Sequence, residues 1–559
     1  MKVGVTTGFI LTALMPYGQI YAATDNLKVE MKEDAFRSGN LTAPSPKSAE
    51  NVVKDALKGK TEQALSPQQI NTESKVNYNV MQNRKSYDGT TLVRLQQTYE
   101  ERDVYGYQLT AHIDDEGVLT SVSGDSAQNL QQQKDLKRPI VLTEDDAKNK
   151  IFDIYGNDLI FVDEPDIKPV IYVDENTSNA VNAYQMTFSA AVPEYISGTI
   201  LIDAISGKLL KDLMQKTNVT LDKNIIEDMN VTTLQNSTGL VGTGKDDSGI
   251  DRTFGISQQS DGKYILADYS RGKGIETYTA NFKDYNNYRY DPLSYLDNIV
   301  TSDSQNFTDS KAISAHYLAT KVYDFYKNKY GRNSFDNNGQ KVISVVHGWK
   351  SNGSKDPKKW YNAFSNGTML VYGDPLVKAY DVAGHEFTHA VTRNESRLEY
   401  QGEPGAINEA LSDILGVAVE KYANNGKFNW TIGEQSGRTF RDMQNPSAIS
   451  SRYPEDYKNY NHLPLDTDHD HGGVHTNSSI INKVAYLIAS GGIHNGIEVK
   501  GIGEDKMFDI FYYANTDELN KKSDFKQLKA ACIRVATNLY GKDSLEVQAV
   551  QQAFKAAYI

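Results

Sequence analysis

Apolar and polar positions change rhythm several times along this chain, and each change predicts a different element. Lys2 precedes a mostly apolar run, Val3 to Met15, and small residues Ala22-Ala23 follow. A short positive region, an apolar stretch too short to span a bilayer and a small-residue cleavage site together read as an export signal over 1–23. Residues 24 to about 90 are polar and weakly patterned. Then Tyr107, Leu109, Ala111 and Ile113 alternate with Gln108, Thr110 and His112, which predicts a strand with one buried face. Asp114-Asp115-Glu116-Gly117 is a turn and Val118 to Val122 the return strand, giving a hairpin-containing unit over about 90–125. Thr143 followed by Asp146 is a helix-capping pattern, and Ala147, Ile151 and Ile154-Tyr155 continue the apolar stripe. Tyr184 to Phe188 and Thr199 to Ile202 predict two further strands, so a second α+β unit covers about 140–213. Residues 214 to about 240 read as a linker, and short β-like segments follow to about 300. Ala312 to Tyr330 is a helix on the spacing of Ile313, Tyr317, Val322 and Phe325. From Asp381 onward the chain is mostly helical, with stripes through Leu411, Leu415 and Ala418 and through Val484 and Leu487.

Composition narrows the classes. With 559 residues the chain is expected to form two to four domains, and 39% hydrophobic against 23% charged residues suffices to bury cores. A formal net charge of −13 argues against a nucleic-acid partner. No apolar run of membrane-spanning length occurs beyond the N-terminus, so no membrane partner is expected. Cys532 is the single cysteine, which rules out an intrachain disulfide. An exported chain without disulfides is naturally braced by bound metal ions.

The chemistry is concentrated at His385-Glu386-Phe387-Thr388-His389. Histidines four apart on a helix share a face, and their neutral imidazoles suit zinc. Glu386 points about 100° round the helix from His385, beside the metal rather than on it, where a base for the attacking water belongs. Farther on, Glu409 and Asp413 are again four apart in Gly405-Ala406-Ile407-Asn408-Glu409-Ala410-Leu411-Ser412-Asp413. One carboxylate can complete the metal site and the other can accept the free N–H of a histidine ligand. His316 in its apolar helix and His347 in its β-like segment are read as structural. Asp466 to His471 is read mainly as a solvated loop, and Cys532 as a buried apolar residue.

With a third motif, Asp470-His471-Gly472-Gly473-Val474-His475, in the same order, the sequence resembles the thermolysin-like family of secreted neutral metalloproteases, the bacillolysin-type gluzincins. Tyr361-Asn362-Ala363-Phe364 and Val371-Tyr372-Gly373-Asp374 add weaker support. The resemblance implies an α+β protein with a signal peptide at 1–23 and a propeptide at 24–234. A β-rich catalytic lobe at 235–390 would end in the zinc helix, and a helical lobe would occupy 391–559. It implies His385, His389 and Glu409 as ligands of one catalytic zinc, Glu386 as general base and Asp413 as the partner of His385. His475 and Tyr400 would stabilise the oxyanion, with Asp470 orienting His475, and Arg441 would bind the substrate carbonyl. Asn362 and Ala363 would pair with the substrate backbone. Val382, Ile432 and Phe440 would line the pocket after the scissile bond, favouring bulky apolar residues. Asp381, Glu420 and Glu434 match a calcium site, but Asn429 and Thr431 stand where relatives have acids, so one structural calcium is expected rather than two. The whole is a zinc-dependent endopeptidase acting on proteins and peptides, extracellular, monomeric, and held inactive by its own propeptide, which also aids folding. An inactive binding protein on the same fold and a zinc aminopeptidase are the alternatives. Intact Glu386, His475 and all three ligands oppose the first, and no distinct site for a free amino terminus supports the second.

Overall fold

The computed structural model describes residues 36–63, 75–157, 159–161, 164–192, 196–214, 239–284, 298–349, 356–365 and 369–559. The export signal and nearly all of the expected linker lie outside these residues.

The N-terminal region is built on a ten-stranded sheet, joined at its middle where Val104 pairs in parallel with Ile171. The expected hairpin is present as strands Arg102–Ile113 and Leu119–Gly124, with Leu109 opposite Gly124 and Ala111 opposite Val122. The expected second unit is an antiparallel meander of Asp166–Val173, Ala180–Val192, Ile196–Asp203 and Leu209–Asp212. Helix α2 (Glu144–Tyr155) covers it, starting from a capping box in which Thr143 and Asp146 satisfy each other's backbone N–H. Its Ala147 and Ile151 pack on Tyr184, Met186, Ile200 and Ile202.

Two features differ from the sequence reading. The polar stretch before residue 90 contains helix α1 (Ala49–Gln63) and strand Val76–Lys85. Their apolar contribution is thin, chiefly Val52, Val53, Leu57 and Tyr78, and a register shift between Val80 and Gln82 breaks the strand's alternation. The strand at 107–113 was expected to bury one face only, yet Gln108, Thr110 and His112 are buried as well. They face the C-terminal region: the Thr110 hydroxyl donates to Asn520 Oδ1 at 2.7 Å, and His112 Nε2 lies 3.1 Å from the Asp517 carbonyl. Alternation reports polarity, and a polar face can be buried against a polar partner that meets its hydrogen bonds.

The C-terminal region starts β-rich. A four-stranded sheet begins with Leu240–Lys245 and Asp251–Gln258, and a six-stranded sheet contains Ile275–Thr279, Val342–Val346, Met369–Tyr372 and, at one end, Ala363–Ser365. Helix α3 (Ser310–Tyr330) packs against it. Then come α4 (Tyr380–Asn394), α5 (Gly402–Ala423), α6 (Asp470–Ser490), α7 (Glu504–Tyr513), α8 (Phe525–Tyr540) and α9 (Leu545–Ala556). Helices α4 and α5 approach closely because glycines meet at the crossing. A Cβ on Gly384 would stand 2.8 Å from Val419 Cβ, and one on Gly416 would stand 2.5 Å from the Asp381 carbonyl oxygen. Helix α5 is buried from Gly405 to Glu420. It carries Asn408, Glu409, Ser412, Asp413 and Glu420 into the interior, and such groups are costly unless each finds a partner.

Candidate metal and active site

Partners come from α4 and α6 and from the segments that carry Tyr400, Gln435 and Arg441. His385 and His389 stand one turn apart on α4, rings 4.6 Å apart and nearly perpendicular. His385 Nδ1 is 2.8 Å from Asp413 Oδ1, and His389 Nδ1 is 2.9 Å from Asn408 Oδ1. Both oxygens accept, so each Nδ1 carries the hydrogen and each Nε2 presents a lone pair. The two Nε2 atoms are 3.0 Å apart, and Glu409 closes the group at 3.3 Å from His389 Nε2 and 3.6 Å from His385 Nε2. Among the described residues, these three supply ligand atoms that all lie within 4.8 Å of one another. Glu409 Oε2 is buried and has no hydrogen-bond partner among the described residues. Two lone pairs and an orphaned carboxylate oxygen aimed at one point repel each other without a cation between them. Two imidazoles and one carboxylate suit zinc and leave a fourth position open.

The surrounding charges are arranged for that set. Arg441 gives two bonds to Asp413, from Nε and Nη2 at 2.7 Å each, and Asn482 Nδ2 adds a third at 2.7 Å. Burial opposes ionisation of Asp413, but the Arg441 charge and the His385 hydrogen bond outweigh it and bring the carboxyl down to about 2. Glu409 is likewise held well below the usual carboxylate range: burial works against it, and the charge of His475 is the largest influence that lowers it.

Glu386 is buried at the cavity wall beside His385, and its carboxylate is engaged by no hydrogen bond among the described residues. Opposite it, Tyr400 donates to Glu409 Oε1 and stands 3.2 Å from His475 Nε2. At the start of α6, Asp470, His471, Gly472 and Gly473 have φ of 55°, 51°, 91° and 75°. This left-handed run folds Asp470 back on His475, whose Nδ1 lies 2.6 Å from Asp470 Oδ1 and whose backbone N donates to Oδ2 at 2.9 Å. Partial desolvation in the cleft disfavours a charged His475, whose side chain stays half-exposed, yet Glu409 and the Asp470 bond prevail and raise it to about 9. Asn362, Ala363, His385, Glu386, His389, Tyr400, Asp470 and His475 all line one cavity of about 1110 Å³. Val382 and Phe440 meet in a separate apolar cluster with Leu376, Ala379 and Ala363, and Ile432 accepts a bond from the Phe440 amide at 2.8 Å.

The remaining predicted residues separate cleanly. His316 is buried between Thr277 Oγ1 and the Gly255 carbonyl at 2.9 Å each, and burial pushes it down to about 4. His347 bridges Asp374 and Asp309 at 2.8 and 3.1 Å. Asp466 caps a short turn and binds His469 at 2.7 Å, with both side chains exposed. Cys532 is buried, and desolvation raises its thiol. Asp381 is fully buried and pushed up to about 7, by burial and then by Glu434. Glu420 is pushed up to about 8 by burial, then by Asp381 and Glu434. Asn408, Ser412 and Asn482, which orient the ligands, were not singled out from sequence. The spacing of Asn408 beside Glu409 on one helix was the available signal.

Comparison with known proteins agrees with this geometry. Residues 241–393 match the thermolysin metallopeptidase catalytic domain, 396–559 its alpha-helical domain, and 76–126 the fungalysin/thermolysin propeptide motif. A bacillolysin of Bacillus cereus is 35% identical over 99% of this chain and 98% of its own. Thermolysin of Alicyclobacillus acidocaldarius subsp. acidocaldarius is 35% identical over 94% and 93%. Among solved structures, the precursor of protealysin from Serratia proteamaculans matches 51% of this chain and 86% of its own at 27% identity, with a TM-score of 0.41. The chain therefore belongs to the thermolysin family of zinc metalloendopeptidases and carries that family's propeptide motif ahead of its catalytic and helical domains.

Proposed function

We propose that this chain is the precursor of a secreted, extracellular endopeptidase that cuts proteins and peptides on the amino side of bulky apolar residues. The observation that carries the reading is the convergence of both Nε2 lone pairs and Glu409 Oε2, with Glu386 beside them, neither Glu409 Oε2 nor the Glu386 carboxylate being hydrogen-bonded among the described residues. His385, His389 and Glu409 would hold zinc, which supplies Lewis acidity that acidifies water and polarises the substrate carbonyl. Glu386 takes the proton of the attacking water and returns it to the leaving amine. His475, charged and held by Asp470, donates to the developing oxyanion, as does the Tyr400 hydroxyl once it turns from Glu409 Oε1, each donor being worth about 2.7–4 kcal/mol of barrier. Arg441 is fixed by Asp413 with its guanidinium close to the site, where it can meet the substrate carbonyl. Asn362 and Ala363 lead the strand at the end of the six-stranded sheet, whose outer edge suits pairing with an extended substrate backbone. The apolar cluster of Val382, Ala363 and Phe440, with Ile432, supports the specificity.

Residues 24–234 are the inhibitor and folding aid in this reading, and 235–390 and 391–559 the two catalytic lobes. Asp103, Tyr105, Gln108 and Gln185 of the N-terminal region line the same cavity as Glu386 and the histidines. Lys211 pairs with Glu399 at 2.7 Å, and Asp212 accepts from Gln401 at 3.3 Å, on either side of Tyr400. Arg94 donates to the carbonyls of Leu519 and Thr516 at 2.6 and 2.8 Å, and Arg84 pairs with Asp517 at 3.0 Å. The mature enzyme is taken as a monomer without nucleic-acid or membrane partners.

The test is hydrolysis of a peptide blocked at both ends, with and without a chelator. Cleavage that stops on chelation and returns with zinc is expected. Persistence in chelator refutes the metal mechanism, and a requirement for a free amino terminus makes it an aminopeptidase. Ligand and partner roles separate by metal analysis of folded protein. Glu409→Ala should lose zinc, whereas Asp413→Asn should weaken affinity or activity about 10–100-fold. Equal zinc retention would collapse that distinction.

A further inference from the structure

Helix α7 runs into a single π-turn, Ala514–Glu518, that is buried where the N-terminal region docks. A helix end leaves carbonyls that no later turn can bond, and here the N-terminal region bonds them. Arg84 gives Nη2 to the Thr516 carbonyl at 2.9 Å and Nη1 to Asp517 Oδ1 at 3.0 Å. Arg94 gives Nη2 to the same carbonyl at 2.8 Å and Nη1 to the Leu519 carbonyl at 2.6 Å. Two guanidinium forks thus share one carbonyl, and each has a second acceptor of its own. Among the described residues, no donor of the catalytic region reaches the Thr516 or Leu519 carbonyl. The charges show what the surface lacks by itself. Glu395 is paired with Arg332 at 2.7 Å and Glu518 with Arg534 at 2.9 Å, both inside the catalytic region. The ion pair of Asp517 is with Arg84. Asp88, which the N-terminal region also brings here, meets Arg534 and Asn538 at 3.5 and 2.9 Å. Release of the N-terminal region therefore leaves one carboxylate without its cation, beside two carbonyls without their donors. This surface adjoins the cleft. The strand that carries Arg94, Thr91–Tyr99, also lines the zinc-site cavity with Gln96. Two residues apart on a strand, Gln96 and Arg94 share a face and lie roughly 7 Å from each other. An extended chain bearing an arginine thus already reaches from the cavity to the π-turn. On the catalytic side, Glu395 follows the last residue of α4 and lies 3.4 Å from Arg84 Nη2. At 1.5 Å per residue it stands roughly 9 Å past His389 along the helix axis.

We propose that the π-turn is a guanidinium exosite: once the N-terminal region has left, Asp517 Oδ1 and the Thr516 and Leu519 carbonyls take an arginine side chain of a protein substrate, three or more residues before the scissile bond. The inference rests on the endopeptidase reading above, in which the residue after the scissile bond sits over Val382, in the first turn of α4. The preceding residues of such a substrate run toward Glu395. An extended chain advances about 3.3 Å per residue, so roughly 9 Å corresponds to the third residue at the nearest. The acceptors are set out in pairs for a planar fork, which arginine presents and lysine does not. An arginine restores the bonds that the π-turn carbonyls had in the precursor, and it neutralises Asp517.

The experiment uses enzyme matured from the full-length chain and blocked peptides that share one scissile bond. A single Arg, Lys or Gln is placed in turn at the first to the sixth position before that bond. At one position from the third outward, kcat/KM for Arg over Gln is expected to be about tenfold, and at the first position near unity. Lys at the same position should recover only a minor part of the gain. Asp517→Asn, which keeps the shape and removes the charge, should bring the Arg advantage down toward one with the Gln peptides cleaved as before. Because the ratio is internal to each variant, a general loss of activity cannot imitate that result. No Arg advantage in the wild type overturns the proposal whether or not the variant folds. An equal gain from Lys overturns the fork, and an unchanged advantage in an active Asp517→Asn enzyme overturns the assigned surface. Cleavage of the Gln peptides without any Arg advantage removes this inference alone. Failure to cleave any blocked peptide removes the endopeptidase reading and this inference with it.

Discussion

Glu386→Gln, in mature enzyme loaded with zinc, should lower kcat by at least about two decades, the usual range for removing a general base. Zinc content should stay unchanged. Glu386 is off the ligand set, which His385, His389 and Glu409 form among themselves. Its carboxylate makes no hydrogen bond to the rest of the described protein, so the amide breaks no structural contact. The Gln side chain keeps the volume and can still bind a water, but it cannot take a proton. The loss should therefore appear in kcat, with KM nearly unchanged. The check is a paired measurement of bound zinc and steady-state kinetics on one blocked peptide. Near-normal turnover by a variant that retains its zinc would show that the base is another group. If maturation is the enzyme's own reaction, the same variant should accumulate unprocessed, with the N-terminal region still in the cleft.

That prediction was available from sequence because its geometry is local. His385, Glu386 and His389 fall within five residues, and helix periodicity alone places two of them on one face and the third aside. Glu409 and Asp413 were legible for the same reason. Spacing alone left their division of labour open, and the family resemblance assigned Glu409 to the metal and Asp413 to His385; Asp413 lies 2.8 Å from His385 Nδ1 and Glu409 lies 3.3 and 3.6 Å from the two Nε2 atoms. The oriented amides were harder to see. Asn482 reaches Asp413 from α6, 69 residues away in the chain, and no spacing rule links them. Arg441 gained a structural duty that sequence did not suggest: a charge locking Asp413 with two bonds. In the N-terminal region the hairpin was readable because its strands alternate and its turn is explicit. The destination of its polar face was hidden, because the partners Asp517 and Asn520 lie some 400 residues away and offer backbone carbonyls and an amide. Helix α1 escaped because a helix that buries few apolar side chains leaves little periodic signal.

Calcium should stabilise the mature enzyme much more at pH 8 than at pH 5. Asp381, Glu420 and Glu434 are gathered beside the α4–α5 crossing, and burial followed by mutual repulsion raises Asp381 to about 7 and Glu420 to about 8. Unfolded, both titrate near 4. Between about pH 4 and 8 the folded state therefore binds more protons than the unfolded state, and stability in calcium-free, zinc-containing buffer falls as pH rises through that window. Above it the penalty is complete; below it protons have neutralised the cluster. A calcium ion bound here would replace those protons, so its binding and its benefit should grow over the same range. The linkage term is about 2.7 kcal/mol at a hundredfold excess over the dissociation constant. Glu420 Oε2 is buried with no hydrogen-bond partner among the described residues, so it would be available to a calcium ion. One ion rather than two is expected because the neutral residues satisfy each other. Asn429 Oδ1 accepts from the Thr431 amide at 2.7 Å, and the Thr431 hydroxyl reaches Glu434 Oε2 at 3.1 Å, leaving a second dication without added negative charge. Asn429→Asp with Thr431→Glu restores two charges and should admit a second ion at high calcium, with slower thermal inactivation. Equilibrium dialysis gives the stoichiometry, and thermal half-lives at pH 5 and pH 8, with and without calcium, give the linkage. Two tightly bound ions in the wild type, or an equal calcium benefit at both pH values, would overturn this account of the site.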